Sequence, residues 1–396
     1  MITSSGTRST RPTRHRRVRA LAAVGALALV ATGLAGCKNV GESDNSAKST
    51  GTTNSSLADT IATLEKPLDA YPVPTAPVGN VGSVAGKTLY YIPITQQSPQ
   101  FAVTQKALTE AAHTVGMSVQ VCDGKGTPTD VSSCVSQAAR DKAGTIITDA
   151  IPYGLAANAF DAAQSSGIPV IISNQVTDAA HPNSKTLLTI AAGGSQMQEA
   201  LADWTALDSG GKGNVLINES TDGPSPAVFV QAGKDALAKS CPTCKVTINQ
   251  VSSANFSLIP SSTSSALLKD PSINYVNSQF EQYLQATQSG VQQAGKAQAV
   301  KGMTGAAQLS GLQQLASKNF LYAASAQASA YQGWVDVDAA LRLMLGKDLP
   351  DYTIPVRLFT RDSIGDVTLT AAAEQSGEWF GPTTFTDDFK KLWGKS

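Results

Sequence analysis

From Lys87 onward the chain alternates short apolar runs with helical stretches, and few architectures other than parallel sheets can bury such a rhythm. Thr88–Ile94 is apolar, β-branched or aromatic; Phe101–Val115 has helical periodicity and ends at Gly116. Met117–Cys122 reads as a second strand, Asp130–Lys142 as a helix and Gly144–Asp149 as a third strand. Leu155–Ser166 is helical again and closes at Gly167; Ile168–Ser173 is almost continuously apolar, as expected of a strand covered on both faces. The rhythm then restarts: helix Gln196–Leu207, strand Gly213–Asn218, helix Pro226–Lys239, strand Lys245–Val251, helix Leu258–Leu268 and strand Ile273–Asn277. Strands joined through helices require right-handed crossovers, so two successive sheets predict two similar lobes. A third stretch, Phe320–Phe359, offers a strand, a long amphipathic helix at Val335–Leu345 and a strand at Tyr352–Phe359. Too short to be a domain, it must dock on the lobes. The tail Arg361–Ser396 carries Trp379, Phe385, Phe389 and Trp393, which predicts packing on the body.

The formal net charge of zero averages two unlike pieces. Six arginines (Arg8, Arg11, Arg14, Arg16, Arg17, Arg19) precede Cys37 and no acid does; removing them from the 30 basic residues leaves 24 against 30 acidic. The acidic body argues against a surface that tracks phosphates, so no nucleic acid is expected. With 42% hydrophobic residues, neither wholesale disorder nor a polytopic membrane protein fits. The arginines lead into apolar Ala20–Ala31 and then Leu34-Ala35-Gly36-Cys37. The apolar run is too short to span a bilayer, which needs about 20 residues, and its flanks mark residues 1–36 as a signal peptide. Leu-Ala-Gly-Cys resembles a bacterial lipobox, which implies cleavage before Cys37, acylation of its sulfur and a membrane anchor. The Arg16-Arg17 pair raises twin-arginine export, which its neighbours fit poorly. Lys38–Ser56 is rich in Ser, Thr, Gly and Asn, so residues 37–86 begin as a flexible tether, with a short helical piece at Leu57–Leu64 and a Pro-rich run at Tyr71–Pro77.

Beyond Cys37 four cysteines remain, in two sequence-local pairs, Cys122 with Cys134 and Cys241 with Cys244; two disulfides are the economical reading for an exported chain. Cys241-Pro242-Thr243-Cys244 also has the spacing of a redox pair or half a zinc site. It follows a helix and precedes a strand, the reverse of a thioredoxin motif, and only His113 and His181 remain as histidine ligands. The same scarcity weighs against a hydrolase triad, and neither a Gly-x-Ser-x-Gly elbow nor a phosphate-cradling glycine loop follows a strand. No enzyme, cofactor or metal is expected; a lipid-anchored hydrolase is the minor alternative.

From about Lys87 to Phe359 the chain resembles the type I periplasmic solute-binding proteins of ABC transporters, in the ribose-binding-like branch. Gln97-Ser98-Pro99-Gln100-Phe101 is similar to the family's Asn-Asn-Pro-Phe-Phe, Ile168-Pro169-Val170-Ile171 to its Ile-Pro-Val strand, and Ala254-Asn255-Phe256 to an Ala-Asp-Phe step. Ala326-Gln327, Gln332-Gly333 and Leu345-Gly346-Lys347 match the third crossover. The resemblance implies an α/β fold of two doubly wound parallel-sheet lobes (periplasmic binding protein-like I) joined by a three-strand hinge. Lobe one would be 87–192 plus 328–347, and lobe two 193–325 plus 350–396 with the tail. It implies a monomer that takes a small-molecule solute, a sugar or sugar-like molecule, to an ABC permease and ATPase complex from the outer face of the membrane; a ligand-sensing receptor has the same fold. A sugar-responsive repressor would need a DNA-binding segment where the leader and tether stand.

Ligands of open α/β sheets bind beyond the carboxyl ends of strands. The candidates there are Gln97, Gln100 and Phe101, then Asp149 and Tyr153, then Asn174; in the second round Asp222, Phe256, Gln279 and Phe280; and Gln327 in the crossover. Amides pair with hydroxyls, and aromatic faces stack on the C–H face of a sugar ring. By resemblance, Phe101, Phe256 and Gln327 match ligand contacts in type, while Asp149 and Gln279 stand where the family has asparagine. Ser173-Asn174 replaces the family's Asp-Arg, Ala227-Val228-Phe229 lacks its arginine and Thr304 replaces its aspartate. With that clamp largely missing, a less polar, larger or amide-bearing solute becomes credible beside a ribose- or galactose-like one.

Overall fold

The computed structural model describes Ser56–Lys395; the leader, the Leu34–Cys37 motif and the tether as far as residue 55 lie outside the described residues. The first sheet runs β2 (Ser118–Val121), β1 (Thr88–Pro93), β3 (Thr145–Asp149), β4 (Val170–Gln175), β5 (Leu187–Ala191), all parallel. Successive side chains of its strands enter different cores. Leu89, Tyr91, Ile147 and Ile171 join one apolar cluster; Tyr90, Ile92, Ile146, Val170 and Ile172 join another. The period of two therefore feeds both faces, and the runs are apolar throughout because neither face is wet. Helices α2 (Pro99–Thr114) and α10 (Ser329–Leu345) cover one face; α3 (Pro128–Arg140) and α4 (Ala157–Ser165) cover the other. Strand β5 was not expected: it follows β4 through a loop without a helix, so the alternation that exposed the others is silent there.

The second sheet has the order β11 (Val356–Thr360), β10 (Leu321–Gln327), β9 (Lys301–Thr304), β8 (Tyr275–Ser278), β6 (Asn214–Ser220), β7 (Lys245–Val251), with β11 alone antiparallel. Around it lie α5 (Gly194–Asp208), α6 (Ser225–Ser240), α7 (Ile259–Lys269), α8 (Leu284–Gln293) and α9 (Leu309–Ala316). The unit α8–β9–α9 also escaped the apolar pattern. β9 reads Lys-Gly-Met-Thr, and its Gly302 is needed because a Cβ there would lie 2.5 Å from the Phe320 ring. A helix at 56–64, α1, buries Leu57 and Ile61 beside Trp204, Val215 and Leu358 of this lobe.

The chain crosses between the sheets after β5, after β10 and after α10. These crossovers touch at Gly193, where a Cβ would meet Val356 Cγ2 at 2.6 Å and Gln327 Oε1 at 3.2 Å. The third stretch differs from the amphipathic reading. α10 begins at Ser329, and every residue from Ser329 to Leu343 is buried, so its polar residues face protein instead of water. The tail corrects a second expectation. It packs on the body as its aromatics required, yet its last helix, α12 (Phe385–Leu392), lies on α10 and hence on lobe one. Phe389 and Trp393 stack on Trp334, with ring centres 6.2 and 5.5 Å apart.

Both disulfides are formed, Cys122–Cys134 with Cα atoms 5.7 Å apart and Cys241–Cys244 with 5.4 Å. The first closes a loop of 12 residues and the second one of 3, so constraint of the unfolded chain is worth roughly 3 and roughly 1.5 kcal/mol respectively. Denaturant titration of Cys122→Ser/Cys134→Ser and Cys241→Ser/Cys244→Ser should show the larger loss for the first pair. An equal loss would mean that native packing around the sulfurs, not loop closure, sets the cost.

Candidate ligand cleft

Ser225, the first residue of α6, donates through Oγ to Gln175 Oε1 at 2.5 Å and accepts the Val176 N–H at 3.3 Å. The carboxyl end of β4 in the first sheet thus meets the turn that follows β6 in the second. Nearby, the Pro152 ring lies 3.7 Å from where a Cβ on Gly223 would sit. The two sets of strand ends face each other across a closed cleft, the arrangement predicted for a ligand site.

On the first-lobe side a buried polar chain underlies the wall. Tyr91 Oη donates to Asp149 Oδ2 at 2.7 Å, and Gln332 Nε2 donates to the same oxygen at 3.2 Å. Gln332 Oε1 accepts from Gln327 Nε2 at 2.9 Å, and Gln327 Nε2 also reaches Asn174 Oδ1 at 3.3 Å. Gln327 Oε1 accepts the Gly193 N–H at 3.1 Å. One amide therefore ties two crossovers, the end of β4 and α10 together. Its donors and its carbonyl are all engaged within the protein, so Gln327 is built as a hinge post and not as a free donor for ligand. Ser173 Oγ donates to Asp336 of α10. Asp149 Oδ1 and Asp336 Oδ2 have no hydrogen-bond partner among the described residues, and no lysine or arginine bonds to either carboxylate. Burial lifts Asp149 to about 6 against the pull of its hydrogen bonds, that from Tyr91 first. Burial and then the nearby Asp149 charge push Asp336 well above its ordinary carboxyl value, so it holds its proton more tightly than a free carboxyl. Ala150 and Asn174, beside this group, adopt left-handed φ of 58° and 61°. Asparagine tolerates that region; for alanine it costs roughly 1–2 kcal/mol, which the surrounding network must offset.

The other candidates divide by what already occupies their polar atoms. Gln97 is exposed, whereas Gln100 and Phe101 are buried in the first turn of α2, which Pro99 opens. Tyr153 donates to Asp161 at 2.5 Å and stacks on His181 at 4.0 Å between ring centres, so it braces lobe one against the loop carrying His181. His181 pairs with Asp178 at 2.7 Å, and no serine or cysteine bonds to it among the described residues. In lobe two Asp222 accepts the Ser253 N–H at 3.0 Å and the Tyr283 hydroxyl at 2.5 Å. Gln279 is spent internally: its Oε1 accepts the Ser220 N–H and its Nε2 donates to the Pro226 carbonyl, both at 2.7 Å. Phe280 is half-buried on the cluster that contains Tyr283. Phe256 is 45% exposed on the turn Ser253–Leu258, with its ring 6.4 Å from Tyr283.

Three replacements at the family's clamp positions turn away from the cleft. Ser173 faces Asp336, Thr304 donates to the Ser278 carbonyl at 3.1 Å, and Phe229 packs on Gly194. Sequence reasoning placed Gln332 only in the crossover match and missed Asp336. Their i, i+4 spacing is visible, but it reads as a solvated stripe unless the helix is known to be buried. Among the described residues no cluster of three or more His, Cys, Asp or Glu could hold a metal ion.

Comparison with known proteins bears on this geometry. The family model for the periplasmic binding protein domain matches residues 89–348. Among solved structures, a 5-methylthioribose transporter solute-binding protein from Thermotoga lettingae is similar at 17% identity with a TM-score of 0.66, covering 80% of this chain and 99% of that one. An ABC transporter solute-binding protein from Agrobacterium vitis, bound with α-D-tagatopyranose, is 20% identical with a TM-score of 0.64 over 71% and 96%. A protein from Mycobacterium smegmatis in complex with β-D-fucofuranose is 18% identical, with 0.63 over 74% and 98%. No match was found among curated protein sequences. At these identities the structural likeness is one of fold.

The carboxylate pair fixes the sign of a pH dependence. Both groups titrate higher in the folded chain than in the unfolded one, so the native state binds more protons. That stability is complete below the unfolded value near 4 and is lost as pH rises through the folded values, about 6 for Asp149. The Asp149 share is on the order of 2–3 kcal/mol. Thermal unfolding of wild type and Asp336→Asn at pH 5 and pH 8 should show a smaller fall for the variant, which has lost the raised titration of Asp336 itself. Equal falls would show that Asp336 does not titrate above its unfolded value.

Proposed function

The chain belongs to the periplasmic binding protein domain family, and on that premise we propose that it captures a small solute, a sugar or sugar-like molecule, between its lobes and delivers it to the permease of an ABC importer. The observation that carries this reading is the closed meeting of two sets of strand ends at Gln175, Val176 and Ser225, beside amides, carboxylates and aromatic rings. The solute would meet Gln97, Gln100, Phe101, Asn174, Asp222, Phe256 and Phe280. Gln327, Gln279 and Asp149 would act by holding that wall in shape.

The missing basic clamp sets the chemistry. With acceptor-rich carboxylates and amides in place of arginine, the cleft favours a solute that presents donors, hydroxyl or amine, along one edge and an apolar face to Phe101 or Phe256. Binding is complete only when both lobes contribute, so the solute shifts the population towards the closed form by its differential affinity. The moving bodies would be 87–192 with 328–347, and 193–325 with the segment after Pro350. The arginine-led leader and Leu34–Cys37 support export and anchoring through a diacylated Cys37, as a monomer, with the permease reading the closed lobes from the outer face of the membrane.

Thermal unfolding against a panel of sugars, polyols, nucleosides and amino acids tests the function. A solute at 100 times its Kd should stabilise the chain by ~2.7 kcal/mol, visible as a rise of a few degrees or more. Phe101→Ala should weaken that solute by more than ~1 kcal/mol in calorimetry without lowering helix content. A panel in which nothing stabilises the chain, and native mass spectrometry that finds no bound solute, would refute solute capture.

A further inference from the structure

Hinge bending in a two-lobed binder requires the connecting segments to absorb the rotation, and here two segments beyond the three crossovers also span the lobes. The first enters from lobe two. After α1, Glu65 accepts from Arg357 and Thr360 of β11, through its carbonyl and its carboxylate respectively. It then runs to lobe one, where Tyr71 stacks on Tyr331 of α10 with ring centres 4.7 Å apart, and Tyr331 Oη donates to the Pro72 carbonyl at 2.7 Å. The second leaves lobe two after Arg361, which donates to the Leu321 carbonyl at 2.7 Å. Its short helix α11 (Ala371–Ser376) holds one lobe with each of two adjacent residues. Glu374 Oε1 accepts the Leu309 N–H at the start of α9 at 2.8 Å, and Gln375 Nε2 donates to the Val103 carbonyl of α2 at 3.3 Å.

The two segments are also joined to each other. Leu68 N–H donates to the Phe380 carbonyl at 2.7 Å, Tyr71 Oη to the Gly377 carbonyl at 2.6 Å and Val78 N–H to the Leu392 carbonyl at 2.9 Å. Apart from Val78 and Leu392, these anchors lie within 65–72 and 361–380, and all fall outside the residues matched by the family model, 89–348.

We propose that residues 65–78 and 361–380 form a two-ply strap across the hinge that limits how far the lobes open. Its contacts combine buried aromatic stacking with hydrogen bonds to both lobes, so rotation that separates α9 from α2 must break the Glu374 or the Gln375 contact. Opening would then proceed in two stages, a small excursion with the strap intact and a wide one with α11 released from one lobe. The strap acts on the empty protein and does not depend on which solute binds.

Hydrogen exchange of the full chain without solute tests this. The Val176 amide donates across the cleft to Ser225, so its exchange reports separation of the lobes. In Glu374→Ala/Gln375→Ala, peptides covering 174–178 and the crossovers 191–194 and 326–329 should exchange about fivefold faster, the factor that one lost hydrogen bond supplies. Faster exchange confined to 371–380, with 174–178 unchanged or slower, would overturn the strap. If the double variant loses its native circular dichroism, Tyr71→Phe, which removes only the Tyr71–Gly377 bond between the two plies, is judged by the same peptides.

Discussion

The ion pair between Asp338 and Arg342 is the point from which most of the body is hung. Arg342 Nε meets Asp338 Oδ2 at 2.7 Å with both side chains almost wholly buried. Arg342 also donates to the carbonyls of Ala76 and Asp348, while Asp338 accepts from Tyr352 and from the Trp393 indole. Three separate segments of chain therefore complete one pair of charges. Removing either partner would strand the other in the core, typically at 3–5 kcal/mol, so the amino-terminal segment, the connection after α10 and the tail are all held to this helix.

A second face of α10 does different work. Gln332 and Asp336, also four residues apart, reach the ends of β3 and β4 and the hinge amide of Gln327. The helix thus joins the outer wrapping to the cleft wall, and its complete burial explains why both of its polar faces must be internally satisfied. The cleft inherits acidic, amide-rich chemistry from this. Asp149 lies near a second buried carboxylate, Asp336, with no basic partner, a setting that raises both carboxyls and draws donors.

The strand ends that face each other across the cleft were legible from the order of elements. The same order places Phe101, Asp149, Asn174 and Asp222 near those ends. It does not assign their roles. Gln327 and Gln279 look like ligand amides by position, and only their partners show them spent on Gly193, Asn174 and Gln332, or on Ser220 and Pro226. Gln332 was seen only as part of the crossover and Asp336 not at all, because helical spacing does not say what covers a helix. Strand β5 was missed because it follows β4 without a helix, and β9 because Lys-Gly-Met-Thr carries little strand preference.

The sequence by itself determined the two sheets, the disulfide pairs and the absence of the basic clamp. Each depends on local periodicity, on cysteine spacing or on residue identity, none of which needs a partner distant in the chain. Tertiary structure alone decided that α10 is buried on every side, that the tail's last helix lies on lobe one, and that Asp149 and Asp336 share a site. These depend on contacts between residues such as Trp393 and Asp338, 55 positions apart, or Asp149 and Gln332, 183 apart. No periodicity within a helix or strand encodes such pairings, since they follow from how whole elements stack to keep apolar area and charge out of water.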